Sequence, residues 1–257
     1  MDGSEAGGGR HGALVLHGIT GTPSSMAGVA AALGGAGFVV ESPLLPGHGT
    51  SVDDMAGTGW PDWSAAVEAA YLDLAARCRR VVVVGLSMGG TLACWLAARH
   101  PEVAGIVCVN PMVEPVAPSF LELLRQTLAA GVTVLPALGS DVARPGVADS
   151  AYPGLPVPPL LTLLEALPEL ARGLGDIRCP VLLLTSVKDH VVPPSSSDFL
   201  AARVAGPVER VRLEHSYHVA TLDFDAEEIE ARAVAFATAV TAPAPDLGSP
   251  RVRPHHP

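Results

Sequence analysis

Short, mostly apolar blocks recur along most of the chain, separated by longer runs in which apolar and polar positions mix. The blocks are Ala13-Leu14-Val15-Leu16, Phe38-Val39-Val40-Glu41-Ser42, Val81-Val82-Val83-Val84, Gly105-Ile106-Val107-Cys108-Val109 and Val181-Leu182-Leu183-Leu184-Thr185-Ser186, with a further strand expected at the more polar residues 208–213. Blocks this short, rich in β-branched residues and apolar at successive positions, read as strands covered on both faces. The runs between them carry helical spacing. In 62–79, Val67, Tyr71 and Leu74 fall on one face. A helix capped by Ser24 or Ser25 passes through Met26, Val29, Ala30 and Leu33 and stops at Gly34-Gly35. Further helices are expected over 195–205 and 226–240, and one after Ser87 ends near His100-Pro101, because a proline pushes the preceding residue out of αR. Strands alternating with helices predict an α/β fold, with a mostly parallel sheet, right-handed crossovers and helices on both faces.

The alternation breaks once. From Val113 to about Gly173 proline-rich loops surround two leucine-rich helical runs, 120–128 and 160–167, each apolar on more than one face. A structureless loop of that length is improbable inside a compact domain. The segment 113–173 is therefore expected to be an inserted helical cap, with the core split into 11–112 and 174–240. Residues 1–10 are expected to be a flexible leader and 241–257, rich in Pro and charge, a disordered tail.

Composition narrows the partners. The 257 residues are 49% hydrophobic and 16% charged, with a formal net charge of -10. Phosphate binding needs clustered Lys and Arg, so nucleic acid is excluded as a partner. The four cysteines, Cys78, Cys94, Cys108 and Cys179, show no Cys-x-x-Cys spacing and read as small hydrophobes in a reducing compartment. The glycine-rich start lacks the apolar run of a signal peptide, and no stretch of eighteen apolar residues predicts a membrane span. The cytoplasm is the expected location. Gly7-Gly8-Gly9 and Gly34-Gly35 lack phosphate-loop spacing, and His255 and His256 form no metal-ligand pattern. No cofactor and no metal are expected.

The chemistry concentrates at Gly85-Leu86-Ser87-Met88-Gly89, placed between a strand and a helix. That context is what makes Gly-x-Ser-x-Gly a nucleophile elbow. A serine hydroxyl is a weak nucleophile at neutral pH and needs a base, which in turn needs an anion to fix its tautomer. In a parallel sheet such partners lie beyond the C-terminal strand ends. Asp189 follows the strand ending at Ser186; His215 and His218 both follow the last strand. Ser, Asp and His in that chain order match an α/β-hydrolase triad.

Four pieces carry a resemblance: Leu16-His17-Gly18-Ile19-Thr20-Gly21-Thr22-Pro23, the elbow, Asp189-His190-Val191-Val192-Pro193, and Ser216-Tyr217-His218-Val219-Ala220-Thr221-Leu222-Asp223. Together they resemble bacterial carboxylesterases and monoacylglycerol lipases of the α/β-hydrolase fold. The resemblance implies Ser87 as nucleophile, His218 as base and Asp189 as its orienter. His218 is preferred to His215 because Thr221-Leu222-Asp223 follows it. The implied oxyanion hole is made of the backbone N–H groups of Ile19 and Met88; the family more often has an aromatic residue where Ile19 stands. His17 is expected to brace its loop, His48 to shape the site rim, His190 to point away, Asp223 to support the His218 loop, and Trp60 and Trp63 to anchor a helix start. The implied partner is a small-molecule acyl ester, a short- to medium-chain monoester or monoacylglycerol, hydrolysed through an acyl-enzyme on Ser87. Phe120, Leu124, Leu128, Leu161 and Leu164 either line an acyl tunnel or glue the cap to the core, and the cap's apolar face leaves room for transient surface contact. A thioesterase or amidase on the same triad, or a ligand-binding protein of the same fold without turnover, remain the alternatives.

Overall fold

The apolar blocks all become strands of one sheet. The computed structural model of the chain describes residues 9–136 and 140–243, so most of the expected leader and nearly all of the expected tail lie outside the described residues. The elements run β1 (Gly12–Leu16), α1 (Ala27–Gly35), β2 (Val39–Glu41), α2 (Val52–Ala56), α3 (Trp60–Arg77), β3 (Val81–Leu86), α4 (Met88–Arg99) and β4 (Gly105–Val109). After them come α5 (Pro118–Ala129), β5 (Val134–Pro136), β6 (Gly154–Pro156), α6 (Val157–Gly173), β7 (Val181–Ser186), α7 (Ser195–Ala201), β8 (Val208–Leu213) and α8 (Ala226–Thr241).

Among the described residues the main sheet has six strands, all parallel, in the order β2-β1-β3-β4-β7-β8. The chain leaves β1 toward β2 and leaves β3 toward β4, so strand order reverses between β1 and β3. Ligands of open α/β sheets bind in the crevice beyond the strand ends at such a reversal. Alternate residues of each strand feed two cores. Leu14, Leu16, Val81, Val83, Ile106, Cys108, Val181 and Leu183 pack with α3, α4 and α6; Ala13, Val15, Val82, Val84, Val107, Val109, Leu182 and Leu184 pack with α1 and α8. This is why those strands read as unbroken apolar blocks. The face of α3 expected from its spacing is buried, and Trp63 is fully enclosed at its start.

Several boundaries differ from the sequence reading, among them those of α3, which covers Trp60–Arg77 rather than 62–79. Thr22, not Ser24 or Ser25, caps the turn before α1, its hydroxyl accepting from Ser24 N–H. Helix α7 stops at Ala201 rather than 205, because the N–H groups of Ala205 and Gly206 both donate to the Ile177 carbonyl and pull the chain off the helical path. Helix α6 begins three residues before Leu160 and continues through Pro168 to Gly173. Within 113–173, α5 and α6 lie against each other, and a two-stranded antiparallel hairpin, β5–β6, joins them. That hairpin has three residues per strand, too few to show alternation. Leu160, Leu161, Leu163, Leu164, Leu167 and Leu170 of α6 are buried, whereas Phe120 and Leu123 of α5 are exposed. Among the described residues no helix is long and apolar enough to cross a membrane.

Candidate active site

Ser87 sits on the turn between β3 and α4 with φ 54° and ψ -117°. A left-handed φ on a residue with a Cβ is strained and persists only where its surroundings enforce it. Two glycines do so. A Cβ on Gly85 would stand 2.1 Å from Gly89 O, and one on Gly89 would stand 2.3 Å from Leu16 O. Ser87 N–H donates to Val109 O at 2.9 Å, which fastens the turn to β4.

The loop after β1 lies directly against this turn: a Cβ on Gly18 would be 3.4 Å from Ser87 Cβ. His17, fully buried, shapes the loop as expected. Its Nε2 receives the Leu45 N–H at 3.2 Å, so that nitrogen carries no proton; Nδ1 is then the protonated one and donates to Gly18 O at 2.8 Å. Burial, helped by His48 nearby and opposed by the Gly18 bond, lowers the His17 pKa to about 4. Because a trans peptide sets its N–H and C=O on opposite sides, holding Gly18 O on His17 turns the Ile19 N–H the other way. Neither that N–H nor the Met88 N–H, the first of α4, has an acceptor among the described residues. His48 stacks edge-on between His17 and Trp63, with ring centroids 4.9 and 5.5 Å away.

Asp189 and His218 meet at the sheet's far side. Asp189 Oδ1 accepts the N–H groups of Val191 and Val192, each at 2.8 Å, and Oδ2 lies 2.7 Å from His218 Nδ1. Both side chains are buried, the carboxylate almost completely. His218 Nε2 is thereby left free, in a cavity that Ser87 also lines. Ser87 Oγ has no hydrogen-bond partner among the described residues; serine–base bonds often tighten only around substrate. His215 is exposed, and its N–H is held by Asp225 Oδ2 at 3.1 Å. His190 turns away from the Asp189–His218 pair, with Nδ1 2.8 Å from Asp141 Oδ1 and its ring edge-on to Tyr217. Asp223 is fully buried and accepts four backbone N–H groups, those of Ala143, Arg144, Tyr217 and Phe224.

The cavity has a volume of about 190 Å³. Its lining is mostly apolar, with Ile19, Met112, Leu135, Leu155, Leu160 and Leu163 among the residues, and also includes the polar side chains of Thr20, Ser25, Asp141 and Asp149. Of the two alternatives for Phe120, Leu124, Leu128, Leu161 and Leu164, the acyl tunnel is not met, since none of them lines the cavity. Leu160, Leu161, Leu163 and Leu164 are all buried in the same core, but of the four only Leu160 and Leu163 also line the cavity. A 100° turn per residue separates the two pairs. Sequence reasoning assigned no role to Asp149. Its Oδ1 is buried without a hydrogen-bond partner, and burial raises its carboxyl above the usual range, against the opposing pull of the Ser150 N–H and His218. No local pattern marks it, since its neighbours in the cavity come from distant segments. Among the described residues no group of three or more His, Cys, Asp or Glu side chains is arranged to hold a metal ion.

The chain is similar to known proteins over most of its length. Residues 13–232 match the alpha/beta hydrolase family. A thermostable monoacylglycerol lipase of Bacillus sp. (strain H-257) is 42% identical over 233 residues, spanning 88% of this chain and 89% of that protein. A solved structure from work on two metagenome-derived lipolytic enzymes, LipS and LipT, superposes with a TM-score of 0.85 at 40% identity, covering 90% of this chain and 95% of that one. The monoacylglycerol lipase of Paleococcus ferrophilus shares the fold, with a TM-score of 0.76 at 19% identity and coverage of 90% and 95%.

Proposed function

The chain belongs to the alpha/beta hydrolase family, and from that premise we propose that Ser87, His218 and Asp189 are its proton relay and that it hydrolyses short- to medium-chain acyl esters, monoacylglycerols among them. It is a serine ester hydrolase of the carboxylesterase and monoacylglycerol lipase kind. The observation that carries the relay is the 2.7 Å Asp189–His218 pair opening onto the cavity that Ser87 lines. His218 Nε2 takes the Ser87 proton as Oγ bonds to the ester carbon. The negative charge that forms on the carbonyl oxygen sits on the N–H groups of Ile19 and Met88, reinforced by the positive end of α4. His218 then returns the proton to the departing alkoxide. A water activated by the same nitrogen releases the acyl group from Ser87.

The mixed lining of the cavity suits the two halves of an ester. The acyl chain takes the apolar residues. The unpaired Asp149 oxygen suits an alcohol that still carries a hydroxyl to donate, which a monoacylglycerol does and a simple amide or thiol leaving group does not. The volume of about 190 Å³ falls below the roughly 300–1,000 Å³ usual for ligand sites, which favours short chains. Residues 113–173 act as a cap over this cavity, and exposed Phe120 and Leu123 on α5 give it transient contact with lipid surfaces. The four cysteines are unpaired thiols, as suits a reducing cytoplasm.

A panel of p-nitrophenyl esters and monoacylglycerols, from butanoyl to hexadecanoyl, tests the reading with wild type beside Ser87→Ala and His218→Ala. Turnover is expected to peak among the shorter chains, and each substitution is expected to lower kcat by about three orders of magnitude or more. A fluorophosphonate probe is expected to label wild type at Ser87. Folded wild type that hydrolyses no ester in the panel defeats the proposal.

A further inference from the structure

His218 is held by its main chain as well as by its ring. Its C=O accepts from Asn110 Nδ2 at 2.8 Å, and its N–H donates to Asp141 Oδ2 at 3.0 Å. The two grips differ in origin. Asn110 ends β4 in a left-handed conformation with φ 47° and is buried. It also donates to Ser186 Oγ and accepts the Ser186 N–H, so it ties together the ends of adjacent core strands. Asp141 comes from residues 140–152, which contribute nothing to the main sheet.

The Asp141 side chain is mostly buried and reaches both loops of the relay. Besides the His218 N–H it takes the His190 ring Nδ1 at 2.8 Å and the His190 N–H at 3.3 Å, directly behind Asp189. Its own C=O accepts the Val219 N–H at 3.0 Å. The rest of its segment is laced to the remaining loops of the site. Ala143 and Arg144 donate to Asp223; Ser150 bonds the hydroxyls of Thr22 and Ser24; Tyr152 N–H donates to Thr20 O, and its hydroxyl bonds Gly47 O and Thr50 N–H. Asp141 is therefore the point at which a segment outside the sheet grips the proposed base itself.

We propose that Asp141 is a positioning residue for ester hydrolysis: acting through the His218 backbone, it sets where the imidazole stands between Asp189 and Ser87. The inference rests on the relay proposed above. A side chain needs no contact with substrate to matter here, since a shift of about 1 Å in a reacting group costs on the order of a hundredfold in rate. The 140–152 segment is on this account part of the catalytic apparatus, and only secondarily a wall of the cavity.

Asp141→Ala, Asp141→Asn and His190→Ala, assayed on p-nitrophenyl butanoate with folding checked by circular dichroism, test it. Asp141→Ala is expected to lower kcat by about ten- to a hundredfold with KM within about threefold of wild type. Asp141→Asn, whose amide oxygen still accepts the His218 N–H, is expected to recover most of the loss; His190→Ala, which leaves that bond intact, is expected to stay within about threefold. The rate of fluorophosphonate labelling at Ser87 should fall in step with kcat. A folded Asp141→Ala with wild-type kcat overturns the proposal, and so does a folded Asp141→Asn as impaired as the alanine variant. If Asp141→Ala does not fold, Asp141→Glu decides: it keeps the acceptors but lengthens the arm by one methylene, so kcat should fall at unchanged KM, and wild-type kcat overturns the idea. Wild type that fails to label at Ser87 strikes the relay instead, whereas labelled wild type beside an unaffected Asp141→Ala defeats only the role of Asp141.

Discussion

His17 shows how much one proton governs at the scale of a residue. Its neutral Nδ1–H form is the only one that both receives the Leu45 N–H and donates to Gly18 O. Its pKa is lowered to about 4 against an ordinary 6.5, so between those values the unfolded chain binds a proton that the folded one refuses. The stability this group contributes is whole above about pH 6.5 and is lost as pH falls toward about 4, amounting to about 3 kcal/mol. Burial shifts His48 in the same direction. Urea unfolding of wild type and His17→Gln at pH values from 7 down to 4 should therefore show a flatter acid dependence in the variant. Parallel curves would mean that the ring carries no such penalty. The sequence showed that His17 belonged to a loop worth bracing, but its tautomer depends on Leu45, which only the folded chain brings near.

At the scale of elements, β3, the elbow and α4 form one rigid unit pressed against β1. Gly89→Ala would drive a methyl to 2.3 Å from Leu16 O and 2.8 Å from His17 O, both backbone atoms that cannot swing aside. The substitution is expected to cost at least about 1–3 kcal/mol and to lower kcat, because α4 carries the Met88 N–H away with it. Gly35→Ala at the end of α1, where a Cβ meets nothing within 4 Å, is the control, expected within about 0.5 kcal/mol of wild type by thermal or urea unfolding. Equal stability and activity for the two variants would contradict the packing argument. The strands were readable because both their faces are buried. The β5–β6 hairpin and the end of α7 were not, since each is set by a hydrogen bond to a distant carbonyl or strand rather than by its own residues.

Over the whole molecule, the cavity is assembled from six separated stretches: the loop after β1, the turn at Ser87, Met112 after β4, described residues between Leu135 and Leu163, Val191 after β7 and the loop of His218. Asp149 gains its meaning from that assembly. Asp149→Leu should lower kcat/KM for a butanoyl monoglyceride by about ten- to a hundredfold while leaving p-nitrophenyl butanoate within about threefold, because only the glycerol ester has a hydroxyl for the lost acceptor. Equal losses on the two substrates would remove Asp149 from alcohol recognition.

What the sequence determined by itself is the frame and the candidates for the reacting groups. Buried parallel strands leave unbroken apolar blocks, and an elbow needs glycines at fixed offsets from its serine, so Ser87 stood out from local pattern; Asp189 and His218 were proposed as its partners from chain order together with the family resemblance. What only the tertiary structure decided is which face of α6 looks into the cavity, which oxygen of Asp149 lacks a partner, and that Asp141 grips His218. Those depend on contacts between residues far apart in the chain, and a contact of that kind leaves no periodicity or spacing in the segments that make it.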